Sequence, residues 1–315
     1  MTDNCGHALD SAAHAGNWPC VTVIVPVRNG ARVIGACLDA LLAQDYPGPP
    51  PELIVVDNGS TDATAALVAS LGPPVRLLRE PQPGASSARN TGIGAASHEL
   101  IAFTDADCVP RPDWLKALVV ATLADPGASF VGGRIAALLP TTDIGLFAEC
   151  IFDHRSAILD CQPPYVITAN LMVRRQYLLR IGLFDPAYPR GQDAELAWRA
   201  HYFHGARFAY AEQAVVDHVN VTTLVGLCHK GFQHGRGSAR LWRDFQPQLG
   251  RSPRTRMRDL EPFRRAARET AAVLPLLWRR MTGSETDPRC LHPFYGALFK
   301  LARQISFIHH SLAAD

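Results

Sequence analysis

Two aspartates separated by a single residue, Asp105 and Asp107, follow the apolar run Leu100–Thr104. If this run is a strand, the alternation of side chains places both carboxylates on one side of the chain. Two neighbouring carboxylates repel each other, and a hard divalent cation with oxygen ligands relieves that repulsion. Such an ion can hold a diphosphate and neutralise its charge as it leaves. Two aspartates at this spacing are by themselves a weak indication of a metal site. The alternative is that Asp107 only caps the turn before Pro110.

Polar residues also follow the other apolar runs of the N-terminal part. The run Val21–Val25 leads to Arg28 and Asn29, and the run Leu53–Val56 leads to Asp57. In an open sheet of parallel strands, ligands bind at the edge where the carboxyl ends of the strands meet. The spacing therefore predicts a ligand site at this edge, before any particular chemistry is named.

The segments between these runs predict an α/β fold. Apolar residues recur at helical spacing from Val33 to Leu42, and an Ala-rich helix, capped by the segment Ser60–Asp62, ends at Gly72. A third strand is predicted at Val75–Leu78. This alternation indicates a right-handed βαβ sheet with helices on both faces. Further along, the segment Ile167–Val173 predicts another strand.

Composition limits the function classes. The chain has 315 residues, of which 47% are hydrophobic, and its formal net charge is +2, so no overall field favours nucleic acid. The eight cysteines form no CxxC pair, which argues against a zinc site or a redox motif. No secretory signal and no run of 18 apolar residues is evident, so we expect a cytoplasmic protein.

Four segments carry a resemblance to a known family. In chain order they are Pro26–Asn29 (PVRN), Val55–Asp62 (VVDNGSTD), Gly84–Gly92 (GASSARNTG) and Phe103–Asp107 (FTDAD). Together they resemble the inverting glycosyltransferases of family 2. The resemblance implies a GT-A fold, in which a mixed, mostly parallel sheet is flanked by helices and one half is a Rossmann-like nucleotide-binding half.

The resemblance, together with the composition of the segments on either side of it, predicts an order of domains. After a flexible lead at residues 1–19, the GT-A domain would cover residues 20–220, with its nucleotide-binding half at 20–109 and its acceptor half at 110–220. A helical, basic C-terminal extension would follow at 221–315.

Site residues follow from the same resemblance. Asp57 matches a carboxylate that accepts hydrogen bonds from the nucleotide base, and Asp105 matches a residue near the ribose and the metal. Asp107 matches the direct ligand of Mn²⁺ or Mg²⁺. Further residues of the nucleotide-sugar pocket and its metal would be Pro26, Arg28, Asn29, Arg89, Asn170, His218 and Arg236. For Arg89 a surface ion pair is the alternative, and Ser60 and Asp62 are expected to cap a helix.

Three of these residues have more specific expected roles. Asn170 would contact sugar hydroxyls, and His218 would reach the metal or the diphosphate. Arg236 lies in the segment Gly231–Gly237, which resembles a loop that closes over donor phosphates. A glycine-rich break in a helix is the alternative for that segment.

A candidate base lies in the segment Gly191–Arg199, which resembles the family's acidic motif. By that match Asp193 takes the proton of the acceptor hydroxyl, although Gln192 stands where the family usually has Glu. Glu195 is the rival base. An acidic helix N-terminus stabilised by the helix dipole is the alternative for Asp193.

The expected activity is glycosyl transfer with inversion from a nucleotide-diphosphate sugar, with a UDP-linked donor favoured. The acceptor would be a glycan or a lipid-linked glycan of polysaccharide or cell-envelope biosynthesis. One alternative is a non-catalytic nucleotide-sugar or glycan-binding protein. A sugar nucleotidyltransferase would need a Gly-rich basic loop after the first strand, and that loop is absent.

The C-terminal part is basic at residues 251–280 and carries two apolar patches, near Leu274–Trp278 and Phe294–Ile308. These helices can pack onto the catalytic domain, form a homodimer seam, or lie on the inner face of a membrane. The sequence leaves all three open.

Overall fold

The computed structural model describes residues 18–138, 142–250 and 287–312, together with isolated positions between 263 and 282. The chain divides into two compact units. The first comprises Met1–Leu138 and Phe152–Val219, and the second comprises Leu139–Ile151 and Asn220–Asp315. Residues 1–17 of the predicted flexible lead and most of the basic block at 251–280 lie outside the described residues.

Within its described residues, the first unit contains an eight-stranded sheet of order β3-β2-β1-β4-β7-β6-β8-β5. The strands are β1 (Val21–Val27), β2 (Glu52–Asp57), β3 (Val75–Arg79), β4 (Leu100–Phe103), β5 (Cys108–Pro110), β6 (Phe130–Ala137), β7 (Leu171–Arg174) and β8 (Phe208–His218). The helices are α1 (Ile34–Leu42), α2 (Thr64–Leu71), α3 (Ala85–Ala95), α4 (Trp114–Ala124), α6 (His154–Leu159), α7 (Arg175–Ile181) and α8 (Gln192–His204); α5 belongs to the second unit.

The sheet is mixed, with its parallel pairs concentrated in the N-terminal half. There β1 pairs in parallel with both β2 and β4, and β2 pairs in parallel with β3. Strand β7 is antiparallel to β4 and β6, whereas β6 and β8 run in parallel. The carboxyl ends of the first four strands therefore share one edge, as the sequence predicted.

Both faces of the sheet are covered, which explains why β1 is apolar at nearly every position. Val23 and Val25 face a core layer that includes Leu38 of α1. Ile24 faces the opposite layer together with Phe103. Burying each side chain of this size contributes about 1.5–3 kcal/mol, so β1 is anchored from both sides.

One local expectation about this unit is wrong. The predicted strand at 167–173 begins only at Leu171, because Thr168–Asn170 form a 3₁₀ turn. Gly92 lets α3 pack closely on the sheet. A Cβ at this position would lie 2.5 Å from Cγ2 of Ile24.

The second unit, in its described residues, is helical. Its helices are α5 (Asp143–Ala148), α9 (Leu224–Asp244), α10 (Gln246–Leu249) and α11 (His292–Leu312), with a 3₁₀ turn at Pro288–Leu291. No helix of the described residues is long and apolar enough to span a bilayer.

Helices α9 and α11 pack along a seam of glycines. A Cβ on Gly231 would lie 2.6 Å from the carbonyl oxygen of Phe299, and one on Gly235 would lie 2.2 Å from that of Arg303. The glycines therefore allow the two backbones to approach closely. The predicted loop at 231–237 is wrong, because α9 is continuous there, and Arg236 lies exposed on that helix.

Candidate active site

The polar residues predicted at the strand ends do lie at one edge of the sheet. Asp57 is the last residue of β2 and pairs in register with Val27 of β1. Pro26 is half-buried within β1, and Arg28 is exposed just beyond it. Asp105 follows β4, the other parallel neighbour of β1.

A set of hydrogen bonds, here called the loop clasp, joins the loop after β1 to the loop after β2. The backbone N–H of Asn29 donates to Oγ of Ser60 (2.9 Å), and Oδ1 of Asn29 accepts from the N–H of Thr61 (2.8 Å). The N–H of Gly30 donates to Oγ1 of Thr64 (2.9 Å). Asn29 has a φ of 53°, a left-handed conformation that Asn tolerates better than most residues.

The loop clasp changes two of the sequence expectations. Ser60 does not cap a helix, because α2 begins four residues later, at Thr64, and its N-cap Ala63 offers no side-chain hydrogen bond. The side chain of Asn29 is engaged with Thr61, so its contribution to the site is to position the loops.

Asn58 is a site residue that the sequence analysis missed. Its Nδ2 donates to the carbonyl oxygens of Glu80 (2.9 Å) and Gln82 (2.8 Å), and its Oδ1 accepts from the N–H of Gly84 (2.7 Å). It thereby ties the loop after β3 to Asp57, its neighbour in the chain, which is 5% exposed. Its signal in the sequence was its place beside Asp57 in the segment Val55–Asp62, which carries the family resemblance.

Arg89 of α3 is buried, so the surface ion pair considered for it is wrong. Its side chain is 3% exposed, and its Nη2 lies 2.7 Å from Oδ1 of Asp105. Its guanidinium carbon is 5.7 Å from the ring centre of Phe184. Nε and Nη1 are also buried, and neither has a hydrogen-bond partner among the described residues. Buried donors that remain unpaired are costly, which marks this arginine as a candidate for ligand contact.

Asp107 and His218 come together where β5 meets the end of β8. Cys108 pairs in register with His218, and the N–H of Val219 donates to the carbonyl oxygen of Asp107 (2.9 Å). Oδ2 of Asp107 lies 3.7 Å from Nε2 of His218. The ring of Phe152 packs against the imidazole at 4.3 Å between centres.

This pair fits a divalent cation. Carboxylate and imidazole ligands each lie about 2.1 Å from such an ion, so two ligand atoms of one ion can be at most about 4.2 Å apart. The observed 3.7 Å is within that limit. The sulfur of Cys108 is also near both groups. Burial raises the pKa of this thiol well above its usual value, so it stays protonated and is a poor ligand for a hard ion.

Asp193, near the start of α8, has one engaged and one unengaged oxygen. Its Oδ2 accepts from the N–H (3.2 Å) and from Oγ1 (3.1 Å) of Thr168. Its Oδ1 is buried and accepts no hydrogen bond from the described residues. Burial raises the pKa of Asp193, and the negative charge of Asp105 adds to this, whereas Arg89 and the Thr168 hydrogen bonds oppose it. Asp193 therefore shares one electrostatic environment with the Arg89–Asp105 pair.

Glu195, the rival base, is committed to a structural ion pair. Its two oxygens accept from Nε (2.6 Å) and Nη2 (3.0 Å) of Arg199. The same guanidinium donates to the carbonyl oxygens of Ile181, the last residue of α7, and of Leu183, just beyond it. With both oxygens engaged in this bidentate pair, Glu195 serves to fix α8 against the turn after α7.

Asn170 is fully buried, and its amide is used within the fold. Its Oδ1 accepts from Nε1 of Trp114, and its Nδ2 donates to the carbonyl oxygens of Arg134 and Ala214, all at 2.8 Å. These bonds lie where the register of β6 against β8 shifts. Both amide hydrogens are engaged, so the structure gives Asn170 a role in holding the sheet, and we do not propose it as a sugar contact.

With this geometry in place, similarity to known proteins decides the family. A family model described as "Glycosyl transferase family 2" matches residues 22–182. The chain belongs to this family. The prediction from the four sequence segments is thereby confirmed.

Relatives of this family 2 member include proteins named as glycosyltransferases. It is 31% identical to the glycosyltransferase AglE of Haloferax volcanii over 71% of this chain and 74% of that protein. It is 29% identical to the pre-mycofactocin glycosyltransferase of Mycobacterium tuberculosis over 65% of this chain, but only 43% of the relative. For the succinoglycan biosynthesis protein ExoO of Rhizobium meliloti the identity is 32%, over 55% of this chain and 48% of the relative. The chain is therefore a glycosyltransferase, as predicted.

Solved structures confirm the GT-A fold. A mannosyltransferase from Pyrobaculum calidifontis, solved with GDP-Man and Mn²⁺, superposes with a TM-score of 0.60 over 98% of this chain and 96% of that chain, at 22% identity. GalNAc-T7, solved with UDP, GalNAc and Mn²⁺, gives a TM-score of 0.51 over 65% of this chain and 44% of that chain, at 14% identity.

Proposed function

We propose that this family 2 glycosyltransferase moves a sugar from a nucleotide-diphosphate donor to an acceptor hydroxyl with inversion, and that Asp193 is the base. The observation that carries the proposal is the asymmetry of this carboxylate. Thr168 holds Oδ2, while Oδ1 is buried beside the Arg89–Asp105 pair and accepts no hydrogen bond from any residue that the structure describes. A fixed carboxylate with one uncommitted oxygen is suited to accept a proton.

The proposed reaction is a single displacement at the anomeric carbon of the donor sugar. Oδ1 of Asp193 takes the proton of the acceptor hydroxyl as the acceptor oxygen bonds to the anomeric carbon. The bond from that carbon to the diphosphate oxygen breaks, and its electron pair leaves with the nucleoside diphosphate. The raised pKa of Asp193 makes its ionised form a stronger base, which favours this proton transfer.

The donor nucleotide would lie along the edge formed by the loops after β1, β2 and β3. Asp57 at this edge would accept hydrogen bonds from the nucleotide base, and Arg28 extends from the same edge. Arg89 keeps two nitrogens without partners in the described residues, and these are the donors we assign to the nucleotide side of the site.

Asp107 and His218 would hold Mn²⁺ or Mg²⁺, with Asp105 nearby. A bound ion of this kind supplies Lewis-acid stabilisation to the leaving diphosphate. The separation of Asp107 and His218 supports this role. So do the two GT-A neighbours solved with Mn²⁺.

One comparison of variants tests the base. Product-nucleotide release is measured with Mn²⁺ across UDP-, GDP- and dTDP-sugars, for the unchanged chain, Asp193→Asn and Asp125→Asn. Asp125 is the matched control, because it pairs with Arg207 at the surface. Loss of a general base lowers kcat by about 10²–10⁴-fold, so only Asp193→Asn should be inactive. Undiminished turnover by Asp193→Asn would rule out this base.

One further variant tests the rival base. Glu195→Gln should keep kcat within about threefold while lowering thermal stability, since it loses a bidentate ion pair rather than a reacting group. A non-catalytic sugar-binding protein would bind donor without releasing nucleotide, and Asp193→Asn would then change nothing. NMR of the anomeric configuration of the product tests inversion.

The acceptor is proposed to be a glycan or a lipid-linked glycan. The supporting observation is similarity to relatives such as a succinoglycan biosynthesis protein. Arg236 is exposed on α9 of the second unit, and its contact with the leaving diphosphate stays a prediction. The same holds for membrane contact and homodimer formation through the C-terminal helices.

A further inference from the structure

His154, the first residue of α6, is a buried histidine that the reaction as described does not use. It is 1% exposed. Its Nδ1 lies 2.9 Å from the carbonyl oxygen of Gly133 in β6, and its Nε2 lies 2.9 Å from the backbone N–H of Ile167. A carbonyl oxygen can only accept and a backbone N–H can only donate. The two bonds together therefore require a neutral imidazole with its proton on Nδ1.

The fold makes room for this ring at a glycine of β6. A Cβ added to Gly132 would lie 2.4 Å from Cε1 and 2.7 Å from Nε2 of His154. The ring thus sits directly against the backbone of the strand, where it has little freedom to move. The packing fixes the imidazole, and the imidazole in turn fixes Ile167.

The residue after Ile167 is the one that holds the proposed base. Thr168 offers both its N–H and its Oγ1 to Oδ2 of Asp193. A chain of contacts therefore runs from strand β6, through His154, to Ile167, Thr168 and Asp193. In the described residues, the N–H of Ile167 donates to no backbone carbonyl, so Nε2 of His154 supplies the acceptor that a neighbouring strand would otherwise provide.

We propose that His154 is a positioning residue for glycosyl transfer, which fixes the Ile167–Thr168 segment so that Oδ1 of Asp193 points to the acceptor hydroxyl. This inference rests on the proposed function, because it takes Asp193 to be the base. It differs from a purely structural role in one respect. Loosening the histidine should affect the proton-transfer step more than donor binding.

A pair of variants separates the two hydrogen bonds of His154. In His154→Asn, the amide nitrogen stands two bonds from Cβ, like Nδ1, so it can keep the bond to Gly133 and loses the bond to Ile167. In His154→Gln, the terminal oxygen stands three bonds from Cβ, like Nε2, so it can still accept from Ile167. We expect kcat to fall about 10–100-fold in His154→Asn and less than about fivefold in His154→Gln, with the KM for donor within about twofold in both.

The pH profile provides a second readout. The Thr168 hydrogen bonds lower the pKa of Asp193, so their loss should move the acid limb of kcat in His154→Asn to higher pH by about one unit. Gly132→Ala displaces the imidazole without removing any polar group. It should also move the acid limb of kcat to higher pH. Equal losses in the Asn and Gln variants, or an unmoved acid limb, would overturn the positioning role.

A crystal structure of His154→Asn tests the inference without a measurement of turnover. We expect the Thr168 donors to lie more than 3.5 Å from Oδ2 of Asp193, compared with 3.1–3.2 Å here. If those bonds persist, His154 does not position Asp193, whatever the activity. If those bonds are lost but Asp193→Asn is fully active, the proposed base is wrong. In that case His154 still orients the side chain of Asp193, but without a role in catalysis. The two failures are thereby distinguishable.

Discussion

The buried imidazole of His154 should make the stability of the first unit depend on pH. Burial is the main cause that lowers the pKa of this residue from 6.5 to about 4, and the hydrogen bond to Gly133 only partly opposes it. Protonation would place a proton on Nε2 and break the bond from Ile167, so the folded state resists it. Substitution by Gln removes the titrating group while keeping an acceptor.

The sign and size follow from linkage between protonation and folding. Between pH 6.5 and pH 4 the unfolded chain binds a proton on His154 and the folded chain does not. The contribution of the neutral imidazole is therefore complete above about pH 6.5 and falls as the pH drops towards 4. The pKa of His154 differs by about 2.5 units between the unfolded and folded states, and each unit corresponds to about 1.36 kcal/mol. The neutral imidazole therefore contributes about 3 kcal/mol to the unfolding free energy, of which about 2 kcal/mol is already lost at pH 5.

Urea unfolding followed by tryptophan fluorescence measures this effect at pH 7.5 and pH 5. The decrease in unfolding free energy should be about 2 kcal/mol smaller in His154→Gln than in the unchanged chain, because all other groups titrate alike in both. His204→Gln, which changes an exposed histidine at the end of α8, should retain the full decrease. An equal pH dependence in His154→Gln and the unchanged chain would refute the neutral buried imidazole.

Three further expectations concern the site and its support. Arg89→Met removes the cation that lowers the pKa of Asp193, so the acid limb of kcat should move to higher pH; a limb that stays in place would show that Arg89 lies too far away to act. Asn170→Leu leaves three partners unpaired and should lower the unfolding free energy by about 3 kcal/mol or more in urea titrations, whereas a loss below about 1 kcal/mol would contradict the hydrogen-bond network. Asp107→Asn should weaken Mn²⁺ binding at least tenfold by calorimetry, with unchanged affinity counting against a metal role.

The parallel half of the sheet was predictable because its signal is local. Strands buried on both faces must be apolar at consecutive positions, as in β1, and polar residues then mark where they end. That rule located Asp57 and Asp105 at one edge before the structure was known. The family resemblance, which rests on four short segments in order, added the expected chemistry.

The roles of the glycines of α9 and of Asn170 are harder to predict from the sequence, because they depend on partners that are distant in the chain. Gly231 and Gly235 lie in a segment that resembles a loop of the family, yet they are helical and α11 packs against their backbone. Asn170 has the same amide whether it contacts a sugar or the core, and only the positions of Trp114, Arg134 and Ala214 decide between the two.

His154 gave no signal at all in the sequence. It stands 21 residues after Gly133 and 13 before Ile167, with no motif joining them. Its importance arises only when the fold brings a carbonyl and an N–H to opposite sides of one ring. Contacts of this kind, between side chain and backbone across long separations, are the part of a site that a single sequence does not reveal.

The loop clasp has a thermodynamic consequence for whatever binds at the strand edge. Because Asn29 and Gly30 are tied to Ser60, Thr61 and Thr64 by the fold itself, these loops give up their conformational entropy during folding rather than on association. A ligand that docks against them orders little further backbone. Its heat-capacity change should then reflect the surface that it covers, without the larger signature of a segment folding around it.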